Sequence, residues 1–346
     1  SLDIDEPGLE GWTIELVDEA GNVVATATTT GINGWYSFTD LYPGTYTVRE
    51  ICPTADWFQS YPTPSNGCGS GDYTIVIDGN DVTDVDFGNY VNAIKWGYKW
   101  HDLNANGEWD AEEPGLNDWT IQALDIYGNV VATTTTIDDD YGNPGYYEFE
   151  LTPGTYYFVE SCPDATWYQS FPTPTDGCGT GAYANEELES GTTYGPNNFA
   201  NYQLAELKGK KFEDLDADGV WDSGEPGLDG VEITLTGTDG MGNSVGPLTT
   251  TTGAGGGFSF TGLTPGAYTV TETAWPAGGW IPSTAISSGP HTLQSGEVLD
   301  LSWVFGNYRY ATKSGYKWLD GNADGVWDLA NEPALPGWTI ELWDVT

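Results

Sequence analysis

The stretch Gly209–Ile233, GKKFEDLDADGVWDSGEPGLDGVEI, decides the reading of the whole chain because it occurs three times. It appears as GYKWHDLNANGEWDAEEPGLNDWTI at 97–121 and as GYKWLDGNADGVWDLANEPALPGWTI at 315–340. LDIDEPGLEGWTIEL at 2–16 is the same unit entered halfway. Each unit continues through PGTYTVRE (43–50), PGTYYFVE (153–160) or PGAYTVTE (265–272) and closes on FGNY (87–90), FANY (199–202) or FGNY (305–308). Asp102 and Asp214 lie 112 residues apart, Asp214 and Asp320 lie 106 apart, so the period is that of a small domain. The expected division is 1–92 (a repeat without its first strand), 93–204, 205–310, and 311–346, the first strand, acidic loop and second strand of a fourth repeat.

Inside each unit, runs such as WTIEL (12–16), VVATATTT (23–30), WYSF (35–38), TYTVRE (45–50) and YTIVI (73–77) are rich in β-branched and aromatic residues and alternate in polarity. Gly, Asn, Asp and Pro punctuate them, as in EAGN (19–22) and INGW (32–35). No segment keeps a helical period over ten or more residues. The expectation is all-β: tandem antiparallel β-sandwiches of about seven strands each, Ig-like or transthyretin-like. The joints between units are a few residues with no Gly/Ser or Pro tract, which favours a stiff rod.

The 346 residues carry 9 basic and 52 acidic side chains, a net charge of −43. Nucleic acid is excluded as a partner, because a polyanion takes its affinity from Lys and Arg on phosphates, and an anionic membrane surface is repelled. Apolar runs are too short for a membrane span. With 38% hydrophobic and 14% aromatic residues the chain still buries real cores. No basic and apolar leader opens the sequence, so the expectation is of a secretion signal removed or lying outside this stretch.

The repeated acidic loop has the spacing D-x-[DN]-x-[DN]-G-x5-E. Asp102, Asn104, Asn106, Asp110 and Glu113, with the carbonyl of Glu108, form one candidate calcium site. Asp214, Asp216, Asp218, Asp222 and Glu225, with the carbonyl of Val220, form the second. Calcium takes six to eight oxygens, and alternate side chains of a tight loop converge on one point. In the last loop Asp320, Asn322, Asp324, Val326 and Asp328 are in place but Glu332 lies one residue late. Only Asp3 and Glu6 of the first loop are present. A solvated acidic turn is the alternative, but carboxylates packed this closely repel without a counter-ion. Trp109, Trp221 and Trp327 are expected to anchor the loops on the core. Strand flanks point to a structural site, not to a sensor that opens.

Cys52 and Cys68 share their spacing with Cys162 and Cys178, and the third unit lacks both positions together. Paired presence and paired absence predict two disulfides and an oxidising, extracellular or cell-surface location. Each closes a loop of ~15 residues, worth roughly 3 kcal/mol on the chain-entropy model.

A first strand ending in an acidic loop, then EPGLxGWTI, a PGTYTVxE strand and a closing FGNY, resembles the SdrD B-like and Cna B-like domains of prokaryotic surface adhesins and pilins. The resemblance spans essentially the whole chain. It implies transthyretin-like sandwiches serving as stalks or pilus subunits, without enzymatic turnover. It further implies, for the Cna B-like group, an isopeptide bond between a lysine of the first strand and an Asn of the last, helped by a central Glu. The matching positions are Lys99, Glu160 and Asn201, and Lys211, Glu272 and Asn307. Glu50 and Asn89 lack a lysine in this chain, and Lys317 lacks partners. The alternatives are a Lys–Glu ion pair or a lysine neutralising the neighbouring loop. Lys95, Lys208, Lys210 and Lys313 read as surface charges.

Three functions were weighed. The first is a calcium-stabilised stalk or filament, its partners being neighbouring repeats or copies of itself joined head to tail. A fragment of a longer array explains the same ends, since WTIEL stands at both Trp12 and Trp338. The second is an adhesin module using exposed aromatics on a glycan or host protein, or a surface-layer component. The third, an enzyme, finds no support: His101 and His291 are not in repeated positions and have no Ser or Cys nucleophile partner evident in the sequence. The insertion IDDDYGNPG at 137–145 reads as a longer hairpin or an extra cation site.

Overall fold

In the computed structural model, which describes residues 6–63, 67–69, 71–175 and 177–343, every regular element is a strand. The second repeat shows the architecture in full. One sheet runs in the order Tyr146–Leu151, Ala93–His101, Phe199–Gln203, Trp167–Phe171, with Thr193–Tyr194 also paired to Ala93–His101. The other runs Ala182–Leu188, Gly154–Ser161, Thr120–Leu124, Val130–Thr135. The third repeat repeats this plan, with the sheets Gly257–Leu263, Ala205–Glu213, Val298–Arg309, Trp280–Pro282 and Ser244–Thr251, Glu232–Asp239, Gly266–Ala274, Ser287–Leu293.

Period-2 alternation explains why two sheets close on each other. In Ala93–His101 every second residue is buried, and the facing strands Thr120–Leu124 and Gly154–Ser161 bury Ile121, Ala123 and Phe158 completely. Each repeat has its own apolar cluster, gathered around Leu16 and Val48, around Ile121 and Phe158, and around Leu235 and Val270. Most strand pairs are antiparallel, but the closing strand lies parallel to the first, with Phe199 opposite Lys99 and Phe305 opposite Lys211. That pairing sets the site described below.

The first repeat has one four-stranded sheet, Val23–Thr28, Thr13–Asp18, Gly44–Ile51, Tyr73–Ile77, and a two-stranded one, Trp57–Tyr61 with Gly88–Val91. WYSF at 35–38, expected as a strand, holds only the bridge from Trp35 to Thr30. Its counterpart Tyr146–Leu151 pairs with the first strand of its own repeat, and no such partner stands beside 35–38 among the described residues. In the fourth unit the described residues hold one bridge, Trp318 to Ala334.

The joints are shorter than the sequence suggested. Asn92 alone separates Gly88–Val91 from Ala93–His101, and Leu204 alone separates Phe199–Gln203 from Ala205–Glu213. Across the second joint Ser295 donates its N–H to the Leu103 carbonyl (2.8 Å), its Oγ accepts the Gln203 N–H (2.7 Å), and Nε2 of His101 lies 2.7 Å from the same Oγ. The acidic loop of one repeat thus begins against a turn of the next.

Phe158→Ala is expected to cost the second repeat about 3–5 kcal/mol, since the ring is fully buried against Phe149. The third repeat's denaturation midpoint should stay put, because its apolar cluster shares no residue with that of the second. Denaturant titration with limited proteolysis of each repeat checks both halves of this expectation.

Candidate crosslinking and cation sites

Parallel pairing sets Lys99 opposite Phe199, and Asn201 two residues on turns to the same inner face. Glu160, paired with Ile121, enters from the opposing sheet. Lys99 and Asn201 are 0% and Glu160 3% exposed. Nζ of Lys99 lies 3.6 Å from Oε2 of Glu160, inside ion-pair range but beyond a hydrogen bond, and it donates to the Trp100 carbonyl at 3.1 Å. The Trp119 ring lies beneath the ammonium at 4.4 Å from its centroid. Oδ1 of Asn201 is buried with no hydrogen-bond partner.

The third repeat builds the same trio more tightly. Nζ of Lys211 stands 3.0 Å from Oε1 of Glu272 and donates to Oδ1 of Asn307 at 2.5 Å. Oε2 of Glu272 accepts the Trp275 indole N–H at 3.2 Å. In both repeats burial pulls the lysine down to about 8, against the opposing pull of its glutamate. Burial likewise lifts Glu160 and Glu272 above the usual carboxylate value, against the opposing lysines. The first repeat keeps the other two members: Asn89 Nδ2 donates to Oε1 of the buried Glu50 at 2.8 Å. Lys317 is exposed, with its ammonium over Trp338.

The acidic loops are closed by their last glutamate. Oε1 of Glu113 accepts the Leu103 N–H (2.7 Å) and Oε2 the Asp110 N–H (3.2 Å). Glu225 makes the same bonds to Leu215 and Asp222 (2.7 and 2.9 Å), and Glu332 to Gly321 and Asp328 (2.9 and 3.1 Å). The extra residue before Glu332 is taken up in a turn where both Asn331 and Glu332 donate their N–H to the Asp328 carbonyl. The one-residue delay therefore leaves the clasp intact. Asp102 and Asp214 are buried and accept loop amides, including Gly107 and Gly219 at 2.8 Å each. Those glycines, and Gly325, sit at positive φ of 76 to 80°, which the tight turn demands.

Oxygens of Asp214, Asp216 and Asp218 all approach within 4.8 Å of one another. The Asp218 amide stabilises the charge of Asp216, yet burial and the charges of Asp218 and Asp214 hold its carboxyl above 3.8. This donor set, hard oxygens under mutual repulsion, fits calcium. Glu108, Val220 and Val326 occupy the carbonyl position after the glycine, with both valine side chains exposed. Asp3 falls outside the described residues, and Glu6 is exposed.

Two expectations are corrected. The loop tryptophans are not core anchors: Trp109 and Trp221 are 42% and 39% exposed, stack on Trp100 and Trp303, and donate their indole N–H to the clasp residue's carbonyl. Trp327 does the same with Trp318 and Glu332. Lys95 is no surface charge; it is buried, paired with Glu186, with Phe158 and Tyr194 near its ammonium. FQSYPTP (58–64) and YQSFPTP (168–174) each hold a wholly buried glutamine. Gln169 exchanges two hydrogen bonds with Gly181 (3.1 and 3.0 Å), and Gln59 does so with Gly71 (2.9 Å each), pinning the cysteine loops. Both glutamines precede the second cysteine by 9 residues and are missing where the cysteines are, a signal the sequence carried. The disulfides themselves are Cys52–Cys68 and Cys162–Cys178, with Cα atoms 5.8 and 5.9 Å apart.

Among known proteins, the family model described as SdrD B-like domain matches residues 2–84, 96–193 and 206–298. Serine-aspartate repeat-containing protein D of Staphylococcus aureus (strain MW2) is 32% identical over 359 residues, covering 94% of this chain and 25% of that protein. Serine-aspartate repeat-containing protein F of Staphylococcus epidermidis (strain ATCC 12228 / FDA PCI 1200) is 30% identical over 389 residues, covering 99% and 22%. The chain thus spans about a quarter of the length of the curated relatives it matches. BcpA, the major pilin subunit of Bacillus cereus, is 11% identical and overlays with a TM-score of 0.34 over 89% of this chain and 97% of that one, too loose to carry an argument. No helix among the described residues is long and apolar enough to cross a membrane.

The first repeat supplies a pH test. Burial raises the Glu50 carboxyl above 4.5, against the opposing bonds from Asn89 and Gly69. The folded state therefore holds this proton more tightly than the unfolded chain. That stability is present below the unfolded pKa and lost as pH rises through the folded one. Glu50→Gln, which keeps an acceptor for Asn89, should match the wild-type midpoint of the first repeat near about pH 4 and exceed it near about pH 7. Equal midpoints at both values would contradict the assignment.

Proposed function

Because the chain belongs to the SdrD B-like domain family, we propose that it is a tension-bearing part of an extracellular stalk or filament, its repeats locked by isopeptide bonds, disulfides and calcium. It is a structural protein and not an enzyme, and it works at the cell surface, where oxidising conditions keep its disulfides closed. Its direct partners are its own neighbouring repeats, joined through one-residue connections.

The observation that carries the covalent lock is a Lys–Glu–Asn trio buried between the sheets of two repeats in one register. An uncompensated lysine in such a place is costly, and a plain ion pair does not use the asparagine. The chemistry follows from the burial. Lys99 or Lys211, lowered to about 8, gives up its proton and becomes a nucleophile. The glutamate, raised by burial, takes a proton more readily and in that form polarises the Asn carboxamide. Nζ bonds to Cγ of the asparagine, the Cγ–Nδ2 bond breaks, and the lysine's proton passes through the glutamate to Nδ2, which leaves as ammonia. No oxidant or cofactor enters.

Calcium would be held by the side chains of Asp102, Asn104, Asn106, Asp110 and Glu113 and by their counterparts at 214–225 and 320–332. When bound it neutralises the loop carboxylates. The chain's own residues do the rest: backbone amides orient Asp102 and Asp214, and the last glutamate ties the loop's first turn to its last.

Intact mass of the reduced, chelator-treated, denatured chain tests the lock. Two ammonias should be missing, one restored by Lys99→Ala and one by Lys211→Ala; a full mass in the wild type would overturn the reading. Separately, thermal melts with calcium and with EDTA should differ, by about 2.7 kcal/mol at a hundredfold excess over Kd. Asp214→Ala should remove one bound ion per chain by elemental analysis. Identical melts would sink the calcium assignment.

A further inference from the structure

The crosslinking trio of the second repeat has a fourth side that the chemistry above leaves unused. Nδ2 of Asn201 points at sulfur, 3.3 Å from Sγ of Cys178 and 3.6 Å from Sγ of Cys162. Sγ of Cys178 also lies 3.8 Å from Oε1 of Glu160. The first repeat repeats the arrangement: Sγ of Cys68 is 3.6 Å from both Nδ2 of Asn89 and Oε1 of Glu50. The cysteines are half-buried, whereas the glutamate and asparagine are nearly or wholly hidden in the second repeat, so the bridge stands between this pair and solvent. Bridged sulfurs carry no thiolate, which removes the Glu–Cys–Cys group as a metal site. They have no S–H to donate, and they accept hydrogen bonds only weakly.

We propose that the Cys162–Cys178 disulfide is a positioning element of the crosslinking centre: it forms an apolar wall that keeps water from Glu160 and holds the departing amide nitrogen of Asn201 against sulfur. This inference rests on the isopeptide reading. The wall does two things that the reaction needs. A dry carboxyl stays protonated and can polarise the carboxamide. A carboxamide whose nitrogen is held against sulfur keeps one orientation, with Oδ1 left free of hydrogen bonds. The third repeat solves the same problem without sulfur. Ala274 stands at the position of Cys162, and the Trp275 indole covers Glu272 and donates to it at 3.2 Å. The disulfide is therefore more than a loop staple. Its loss in the third repeat coincides with an indole taking over the exposed side of the glutamate.

The experiment compares two variants that both lack the bridge. Cys162→Ser with Cys178→Ser puts hydroxyls, and with them water, against Glu160. Cys162→Ala with Cys178→Val keeps an apolar wall, alanine being the residue the third repeat already uses. Ammonia loss is followed by mass during refolding and assigned by peptide mapping, with the Lys211–Asn307 bond of the same molecule as internal clock. Protease resistance of residues 93–204 reports folding. The serine pair should slow the Lys99–Asn201 bond by roughly tenfold or more relative to the clock, and the alanine–valine pair should restore it to within a few-fold of wild type. A wild-type rate in the serine pair, or equal slowing in both pairs, would overturn the proposal and leave the bridge as a staple. A wild type crosslinked only in the third repeat defeats this inference alone; one crosslinked in neither defeats the isopeptide reading with it.

Discussion

Two sheets in each complete repeat close over a lysine, a glutamate and an asparagine that have no water to serve them. That constraint organises the rest. A buried ammonium beside a buried carboxyl is tolerated only with close geometry, so the first and last strands must lie parallel and in one register, with the glutamate's strand facing them. The register that puts Lys99 opposite Phe199 also puts Asn201 within the same inner face. A slip of one residue in either of these strands would turn its lysine or its asparagine outward, so the trio specifies the pairing as much as the pairing positions the trio.

The acidic loop begins where that first strand ends, and so inherits its fixed position. Asp102 follows His101 directly, is buried, and donates its own N–H to the Asn201 carbonyl at 3.0 Å. The loop is thus hung from the paired first and last strands at one end and clasped by Glu113 at the other. Because Leu103 also accepts from Ser295 of the next repeat, the strand pair, the acidic loop and the joint form one connected piece of structure. A chain with 52 acidic groups concentrates its few lysines near such junctions, and on the strand Ala93–His101 both Lys95 and Lys99 are buried.

Much of this was legible in the residues. Repetition of D-x-[DN]-x-[DN]-G marked the loops, and positive φ at Gly107, Gly219 and Gly325 is the reason glycine recurs there. Matched cysteine spacings marked the disulfides. Lys99, Glu160 and Asn201 could be nominated from a resemblance to a family, since 41 residues separate Glu160 from Asn201 and nothing in that interval announces contact. Lys95 was misread because its burial depends on Phe158 and Tyr194, which arrive from distant strands. The loop tryptophans differ for a similar reason: an aromatic at a repeated position signals packing, but whether it is buried itself or stays half-exposed while stacking on a neighbour, as Trp109 does on the buried Trp100, depends on what the neighbouring strand supplies.

By itself, then, the sequence determined the strand content, the repeat period, the position of the acidic loops and the pairing of the cysteines, because each is written in local alternation, turn residues or matched spacing. Tertiary structure alone decided which lysine is buried, that Glu332 closes its loop despite its shifted position, that Gln59 and Gln169 pin the cysteine loops, and that sulfur faces Asn201. Those outcomes depend on side chains brought together from both sheets. Burial, which lowers the Lys99 ammonium and raises the Glu160 carboxyl, is a property of that assembly and of no single segment.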